Sequence, residues 1–485
     1  MKRKIETVLQ QFAVHPEPGC LYKTGDEAGL PTDEWKSQLS ADEKDAITKI
    51  VPWENVEAVY PFLATTWDRI RFENDDRWLC QISFSVSDIP SEAHLKARLE
   101  ELTAKRQSLR MISVLPEGKR PLAVALKKTE IPLFMTDLRE PEGTENNNGS
   151  LSDRQLSGIL PVLNQFMEEG FAPGEASFKI HFFRTGNNSW LLCVLYCHFF
   201  LDGTGANRFV EELLNDAPLS SDTELVNLYF YRQASEAYLA EADAHWRKLL
   251  PPGSRITALP VKSPAGDASE KKPAEKFSRN IPTFRYRKIS LEPALEYCRT
   301  HQVTLASVIH TAMGRAIASL TGQEQVCFLT IGNGRSRILT DDQRLTGMFS
   351  YDYPFVLKKG QQPADSQQQL RESLDYMAYD YSLLDGSFGN SPDRGTGVRC
   401  NFLNHQAAKG ACVDNSFLLQ DDARALLIFC PRDLLFFLEP KDELYVTSVY
   451  LPGAVDSATV SALNRAFAKE LSEERLFQDN ETGTI

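Results

Sequence analysis

Cys197-His198-Phe199-Phe200-Leu201-Asp202-Gly203-Thr204 places a histidine at the end of an apolar run, then an aspartate and a glycine where the chain must turn. The residues before it, Trp190 to His198, read as a strand, and Gly205 to Leu214 reads as a helix. An imidazole gives or takes a proton near neutral pH, and a strand end would hold it rigidly. Asp202, four residues on, can turn back onto backbone amides or an arginine. Taken alone, HxxxDG equally describes a satisfied core histidine followed by a helix cap, so the surrounding chain must decide.

Upstream, Phe178 to Arg184 is a second strand, and Thr185-Gly186-Asn187-Asn188-Ser189 suits a hairpin between the two. Trp78 to Ser87 alternates like a half-buried strand, and Ser91 to Ser108 reads as a capped helix. Strands are predicted at Ile112 to Leu115 and Leu122 to Leu126, and a surface loop over the polar stretch Arg139 to Asp153. Downstream, Ala234 to Leu250 is helical, and the Pro-, Ala- and charge-rich run Lys262 to Lys276 reads as a linker. The same grammar then restarts. A strand at Thr283 to Ile289 precedes helices at Leu291 to Thr300 and Thr304 to Leu320. Further strands are predicted at Gln325 to Ile331, Val398 to Asn404, Ala425 to Phe429, Leu434 to Glu439 and Leu444 to Tyr450, with helices near Ser366 to Tyr381 and Asp456 to Leu471.

A chain of 485 residues exceeds what one core usually serves. The expected organisation is an α/β (α+β) chain with a polar extension of unclear role at 1–50, one lobe at 51–235 and a second at 236–485. In the extension, Ile5 to Phe12 and Ser40 to Ile50 read as short helices, and Tyr22-Lys23-Thr24-Gly25-Asp26 as a turn. With 53 Lys and Arg against 66 Asp and Glu, the net charge of −13 disfavours nucleic acid and anionic lipid as partners. Leu191 to Leu201, the longest apolar run, falls short of the roughly 20 residues that span a bilayer. The nine cysteines include no CxxC pair, so neither a metal site nor a disulfide framework is expected. A polar start without an apolar signal core points to a cytoplasmic protein. The Met1 start and the short tail after Leu471 point to a free-standing one. The basic residues Lys96, Arg98, Lys105, Arg106, Lys119, Arg120, Lys127 and Lys128 form either a solvated face or a docking surface for an acidic partner.

Several blocks agree in order with one family. Val56 to Phe62 (VEAVYPF), Leu102 to Met111 (LTAKRQSLRM), the core CHFFLDG and Ala244-His245-Trp246-Arg247 come first. Val303-Thr304-Leu305, the helix end Thr321-Gly322-Gln323, Ile331-Gly332-Asn333-Gly334-Arg335-Ser336-Arg337 and Gly347-Met348-Phe349 with Pro354 come after them. Over residues 51 to 475 the chain resembles the condensation domains of non-ribosomal peptide synthetases, in the chloramphenicol-acetyltransferase-like acyltransferase superfamily. The resemblance implies two such lobes in a V-shaped pseudo-dimer with a central tunnel, entered by a phosphopantetheine arm from each side. It implies amide or ester formation between a carrier-bound acyl thioester and an amine or hydroxyl. His198 would be the active-site histidine, Asp202 a structural aspartate paired with an arginine, and Gly203 the glycine that keeps the passage open. Arg337, ten residues before Gly347, is the first choice for that arginine, and Arg335 the second.

The departures are Cys197 in place of a first histidine, Thr66 where glutamine is usual and Tyr351 where asparagine is usual. Together with Asn333 these are the candidate substrate-channel residues, although strand phase would turn Cys197 into the lobe interior. No permanently bound cofactor is implied, only a phosphopantetheine arm or CoA as substrate handle. Carrier proteins are the implied partners, with adenylation enzymes beside them, and the expected state is a monomer. A CoA-dependent O- or N-acyltransferase and a non-catalytic carrier-binding scaffold are the alternatives. His310, inside a long apolar helix, reads as a core residue.

Overall fold

The computed structural model describes residues 36–37, 39–61, 79–116, 122–140, 151–222, 236–260, 283–337, 346–379, 396–403, 433–451, 454–472 and 475–476. Thr66, the segments 5–12 and 22–26, the linker 262–276 and the strand expected at 425–429 lie outside the described residues. The described chain falls into two compact units. One takes the residues as far as Glu241 and, in addition, those of Arg335–Ser350; the other takes Ala242–Gly334 and most of the chain from Tyr351 onward. The lobes expected from the sequence were continuous stretches meeting at 235/236, whereas Arg335–Ser350 is packed with the first unit. The physical reason is a buried ion pair between Asp202 and Arg335.

In the first unit, α1 (Ala41–Thr48) starts at a capping box in which Ser40 and Glu43 satisfy each other's backbone N–H. Leu39, Ile47 and Val51 are buried, and Gly174, at φ +83°, lies so close that a Cβ there would sit 3.0 Å from the Ile50 carbonyl. The described end of the N-terminal extension is therefore part of this unit's core. After it come β1 (Val56–Pro61), β2 (Leu79–Ser87), α2 (Glu92–Lys105), β3 (Met111–Val114), β4 (Leu122–Leu126) and β5 (Leu133–Asp137). Then come α3 (Asp153–Glu169), β6 (Phe178–Arg184), β7 (Ser189–Cys197) and α4 (Gly203–Leu214). Three strands form the sheet β1-β4-β3 and four form β2-β7-β6-β5.

The second sheet carries the site. β6 and β7 pair antiparallel from Arg184↔Trp190 to Phe178↔Tyr196, as the turn residues predicted. β7 is central and buried along nearly its whole length because both faces are covered. On one face Ile159 and Leu163 of α3 pack on Phe183, Leu191 and Cys193; on the other Phe178 meets Phe209 of α4 at a ring separation of 6.1 Å. Helix α3 was not predicted: Pro161 and Gly158 interrupt its sequence, yet Ser152 and Gln155 form a capping box and Ile159, Leu163 and Phe166 give one buried stripe. Strand β5 was also unassigned; it is an edge strand with only partial burial, so its alternation is weak.

In the second unit, α5 (Glu236–Leu249), which begins in the first, is followed by β8 (Thr283–Ile289), α6 (Glu292–His301), α7 (Leu305–Thr321), β9 (Gln325–Asn333), β10 (Ser350–Lys358) and α8 (Pro363–Ser373). β11 (Val398–Phe402), β12 (Leu434–Pro440), β13 (Leu444–Tyr450) and α9 (Ser457–Glu470) complete it. Its sheet runs β10-β9-β11-β12-β13-β8. Thr304 caps α7, the most buried helix, and Gly322 ends it in the left-handed conformation. Within α7, Gly314 lets β10 approach: a Cβ there would lie 2.8 Å from Leu357 Cβ and Cδ2.

Alanine is a better helix former than glycine by about 1 kcal/mol, so Gly314→Ala would stabilise an exposed helix. Here overpacking outweighs the propensity gain, and the variant is expected to lose about 1–3 kcal/mol in a denaturant titration. An unchanged or higher midpoint would show that Leu357 moves aside without cost.

Candidate active site at the end of the central strand

β7 ends at Cys197, and His198, Phe199 and Phe200 form a tight turn in which the Phe200 N–H donates to the Cys197 carbonyl at 3.1 Å. The alternation of the strand separates the two neighbours. Cys197 is 3% exposed, whereas His198 is half-buried, with its ring edge-on to Tyr196 at 5.9 Å and 68°. Phe199, Phe200 and Leu201 are all buried, so the residues after the histidine pin the turn to the core.

Asp202 is 1% exposed and caps α4, accepting the Gly205 N–H on Oδ1 at 2.7 Å. The cap reading of the sequence is therefore correct, and it is half of the residue's role. The Arg335 guanidinium also grips the carboxylate end-on, with Nη2 to Oδ1 at 2.8 Å and Nη1 to Oδ2 at 2.7 Å. Oδ2 further accepts the Phe349 N–H at 2.9 Å and the Ser350 hydroxyl at 3.1 Å. Arg335 in turn donates to the Gly347 carbonyl at 2.9 Å and lies over the Phe349 ring at 4.7 Å. The Asp202 N–H reaches the same Gly347 carbonyl at 3.2 Å. Burial pushes the Asp202 carboxyl up, but the Arg335 charge and hydrogen bonds, with the Gly205 and Phe349 amides, outweigh it and hold the group below its ordinary range.

The arginine that meets Asp202 is thus Arg335 and not Arg337, which the ten-residue spacing favoured. β9 ends at Asn333 and a short 3-10 turn, Gly334–Arg337, comes at once; this turn delivers Arg335 to the carboxylate. Of the other residues singled out from the sequence, Asn333 is exposed at the end of β9 and Gly203 is exposed at the start of α4. Tyr351, like Cys197, is almost wholly buried at 2% exposure, so neither offers appreciable surface to a substrate. His310 is a core residue: its Nδ1 donates to the Ala306 carbonyl, its Nε2 accepts from Thr330, and burial lowers its pKa to about 4.

The two glycines of the turn differ. A Cβ on Gly203 would meet nothing within 4 Å, whereas one on Gly205 would lie 2.7 Å from Leu201 Cδ1 and 2.9 Å from the Gly347 carbonyl oxygen. Gly205 is the glycine that lets the Thr346–Ser350 backbone close on the first turn of α4. The sequence reading passed over it, although a second glycine three residues past a capping aspartate was the available signal. Ser350 and the Phe349 amide were also missed, because a hydroxyl and a backbone group leave no charge pattern to find.

The basic cluster divides. Arg98 and Arg106 are 6% and 2% exposed. Arg98 bonds Glu101 and the Glu212 and Ala217 carbonyls; Arg106 binds the Glu212 carboxylate through Nε and Nη2. These two belong to neither a solvated face nor a docking surface: they tie α2 to α4. Lys119 and Arg120 lie outside the described residues.

This geometry has two measurable consequences. Gly203→Ala is expected to fold with a thermal midpoint close to that of the natural chain, while Gly205→Ala loses about 1–3 kcal/mol or more because the Gly347 backbone, and not the Leu201 side chain alone, blocks the Cβ. Equal midpoints for the two variants would refute the close approach. Because the Asp202 pKa is depressed on folding, its stabilisation is present above the unfolded value of about 3.9 and is lost as pH falls through the folded value. Asp202→Ala, which strands a buried guanidinium, is expected to cost about 3–5 kcal/mol at pH 7 and to flatten stability against pH on the acid side. An unaltered acid limb in denaturation curves would remove Asp202 from that role.

The chain is similar to known proteins in sequence and in fold. The Condensation domain family matches residues 71–395, well over half of the chain. Bacitracin synthase 3 of Bacillus licheniformis is 20% identical over 407 residues, which cover 79% of this chain and 6% of that synthase. Among solved structures, the epimerization domain from the third module of tyrocidine synthetase B superposes with a TM-score of 0.60 at 15% identity, covering 88% of this chain and 99% of that one. The starter condensation domain of rhizomide synthetase, solved with C8-CoA and Leu-SNAC, superposes with a TM-score of 0.59 at 13% identity, covering 85% and 93%. The chain spans only a small part of the curated relatives it matches, and those solved structures speak for its fold. With the match running through His198, Asp202, Gly203 and Arg335, the chain belongs to the condensation-domain family.

Proposed function

We propose that this protein forms an amide, or less often an ester, by transferring an acyl group from a thioester to an amine or hydroxyl, with His198 at the centre of the reaction. The observation that carries the reading is the placement of His198: a half-buried imidazole at the end of a strand buried along nearly its whole length, one turn from a buried ion pair that fixes the backbone behind it. An attacking amine must lose a proton, and the thioester carbonyl must become an oxyanion before the thiol leaves. A neutral His198 accepts the amine proton, and its N–H form donates to the developing oxyanion or to the leaving sulfur. Holding both substrates beside it supplies much of the remaining acceleration. No covalent acyl-enzyme is required. Cys197 is buried on the other side of the strand and is the wrong residue to form one.

Family membership supports a thioester carried on a phosphopantetheine arm, either of a carrier protein or of CoA, as the donor. The arm is a substrate handle and not a resident cofactor. The partners of this reading are acyl or peptidyl carrier proteins, with adenylation enzymes loading them, and the chain works as a monomer. A CoA-dependent acyltransferase is the second reading, and the rhizomide synthetase domain solved with C8-CoA supports keeping it.

His198→Ala is expected to leave the thermal midpoint nearly unchanged and to lower product formation by about two orders of magnitude or more. The assay supplies the same acyl group on a loaded carrier protein and on CoA, with a panel of amine and hydroxyl acceptors, and tracks product by mass spectrometry. Turnover that survives in His198→Ala would reject His198 as the reacting centre; turnover with CoA alone would select the second reading.

A further inference from the structure

Asp202 does not hold the Thr346–Ser350 segment alone. Thr346 is fully buried, and both of its backbone groups are held by the first unit. Its carbonyl accepts the Ser108 hydroxyl at 2.7 Å, and its N–H points to Asp222 Oδ2 at 3.4 Å. Asp222 lies eight residues beyond the end of α4 and is 1% exposed. Its Oδ1 accepts the Gln107 N–H at 3.1 Å, and its own N–H donates to the Lys105 carbonyl at 3.1 Å. Two buried carboxylates, one before α4 and one after it, therefore grip a single five-residue segment: Asp222 at Thr346, and Asp202 at Gly347, Phe349 and Ser350.

We propose that Asp222 is a positioning residue for the His198 site, setting how firmly Thr346–Ser350 is closed on the first turn of α4. The proposal rests on the acyl-transfer reading for its consequence in catalysis, and on geometry alone for the grip itself. Gly347 touches the place where Gly205 has no room for a Cβ, so a displaced Thr346 moves Gly347 off both Arg335 and Asp202. The turn carrying His198 is then released. Misplacement by about 1 Å costs on the order of 100-fold in a reaction that depends on orientation.

The charges facing Asp222 make the grip adjustable. Arg106 acts on Asp222 as a positive charge, but its guanidinium is taken up by Glu212, which also accepts Arg208 at 3.0 Å. The Glu212 carboxylate and the Tyr60 phenol, on the other elements packed here, add no positive charge. Among the described residues Asp222 makes no ion pair. Burial raises its pKa to about 6, with Arg106 and the Gln107 and Thr346 amides opposing. By linkage, a carboxyl whose closed-state pKa lies above its solvated value favours closure when protonated, and that contribution is lost as pH rises through about 6. Asp202, with its pKa depressed, keeps its charge throughout this window. Closure is therefore tighter in mild acid and looser at neutral pH, through Asp222.

The test is hydrogen exchange of the Thr346–Ser350 amides in the full chain, corrected for intrinsic rates, between pH 5 and pH 8. The opening constant is expected to rise roughly tenfold from pH 5 to pH 7.5 with an inflection near 6, taking about 4 for the solvated carboxyl. Asp222→Asn, which carries no charge at any pH, should abolish the inflection, and Asp222→Ala, which removes both acceptor oxygens, should lower acyl transfer about tenfold or more in kcat, with KM within about twofold, at pH 7.5. His198→Ala should keep the inflection while losing turnover, which separates the grip from the chemistry. A natural chain without the inflection, or an Asp222→Asn variant that retains it, overturns the proposal, as does Asp222→Ala turning over at the natural rate. If the natural chain shows the inflection but transfers no acyl group from carrier or CoA, the reaction assigned above fails while the grip of Asp222 stands.

Discussion

A carboxylate and a guanidinium buried at 1% and 2% exposure can persist in a protein only if nearly every lone pair and donor is satisfied. Asp202 and Arg335 meet that demand together. The carboxylate accepts two guanidinium nitrogens, two backbone amides and a hydroxyl, and the guanidinium reaches the Gly347 carbonyl and the face of Phe349. Such a pair adds little net stability over an apolar contact of the same shape. Its effect is on geometry: any shift of one partner leaves a charge in a dry interior, so the arrangement has one low-energy position.

That position propagates outward. The Asp202 cap sets where α4 begins, and α4 packs Phe209 against Phe178 on the sheet. The sheet holds β7 from both faces, and β7 delivers His198. In the other direction the pair draws Arg335–Ser350 into the first unit, against which Thr346 is further tied by Ser108 and Asp222. A flexible histidine would lose catalytic orientation; here the imidazole sits between a covered strand and a turn whose three subsequent residues are buried.

Much of this was readable in the order of residues. The hairpin β6–β7, the capped helices and the strand-ending histidine come from local alternation, turn residues and caps, and these depend on neighbours within a few positions. Helix α3 escaped because Pro161 and Gly158 weaken its local signal, while packing of Ile159 and Leu163 on the sheet supplies what propensity lacks. The basic cluster was misread for a related reason. Charge counted along the chain cannot tell that Arg98 and Arg106 turn inward to close on Glu101, Glu212 and carbonyls of the neighbouring helix and loop.

By itself the sequence determined the element order, the strand that ends in His198, the presence of an acid that both caps a helix and seeks a cation, and the family. Only the tertiary structure decided which arginine answers Asp202, which glycine must lack a side chain, and that Asp222 belongs to the same segment. Arg335 lies 133 positions from Asp202 and two from Arg337. Spacing along the chain ranks such neighbours almost equally, whereas the 3-10 turn after β9 brings Arg335 to the carboxylate. The same holds for Gly205 and Gly203: both suit the start of a helix, and what separates them is a carbonyl from far along the chain that stands 2.9 Å from where one Cβ would be and nowhere near the other.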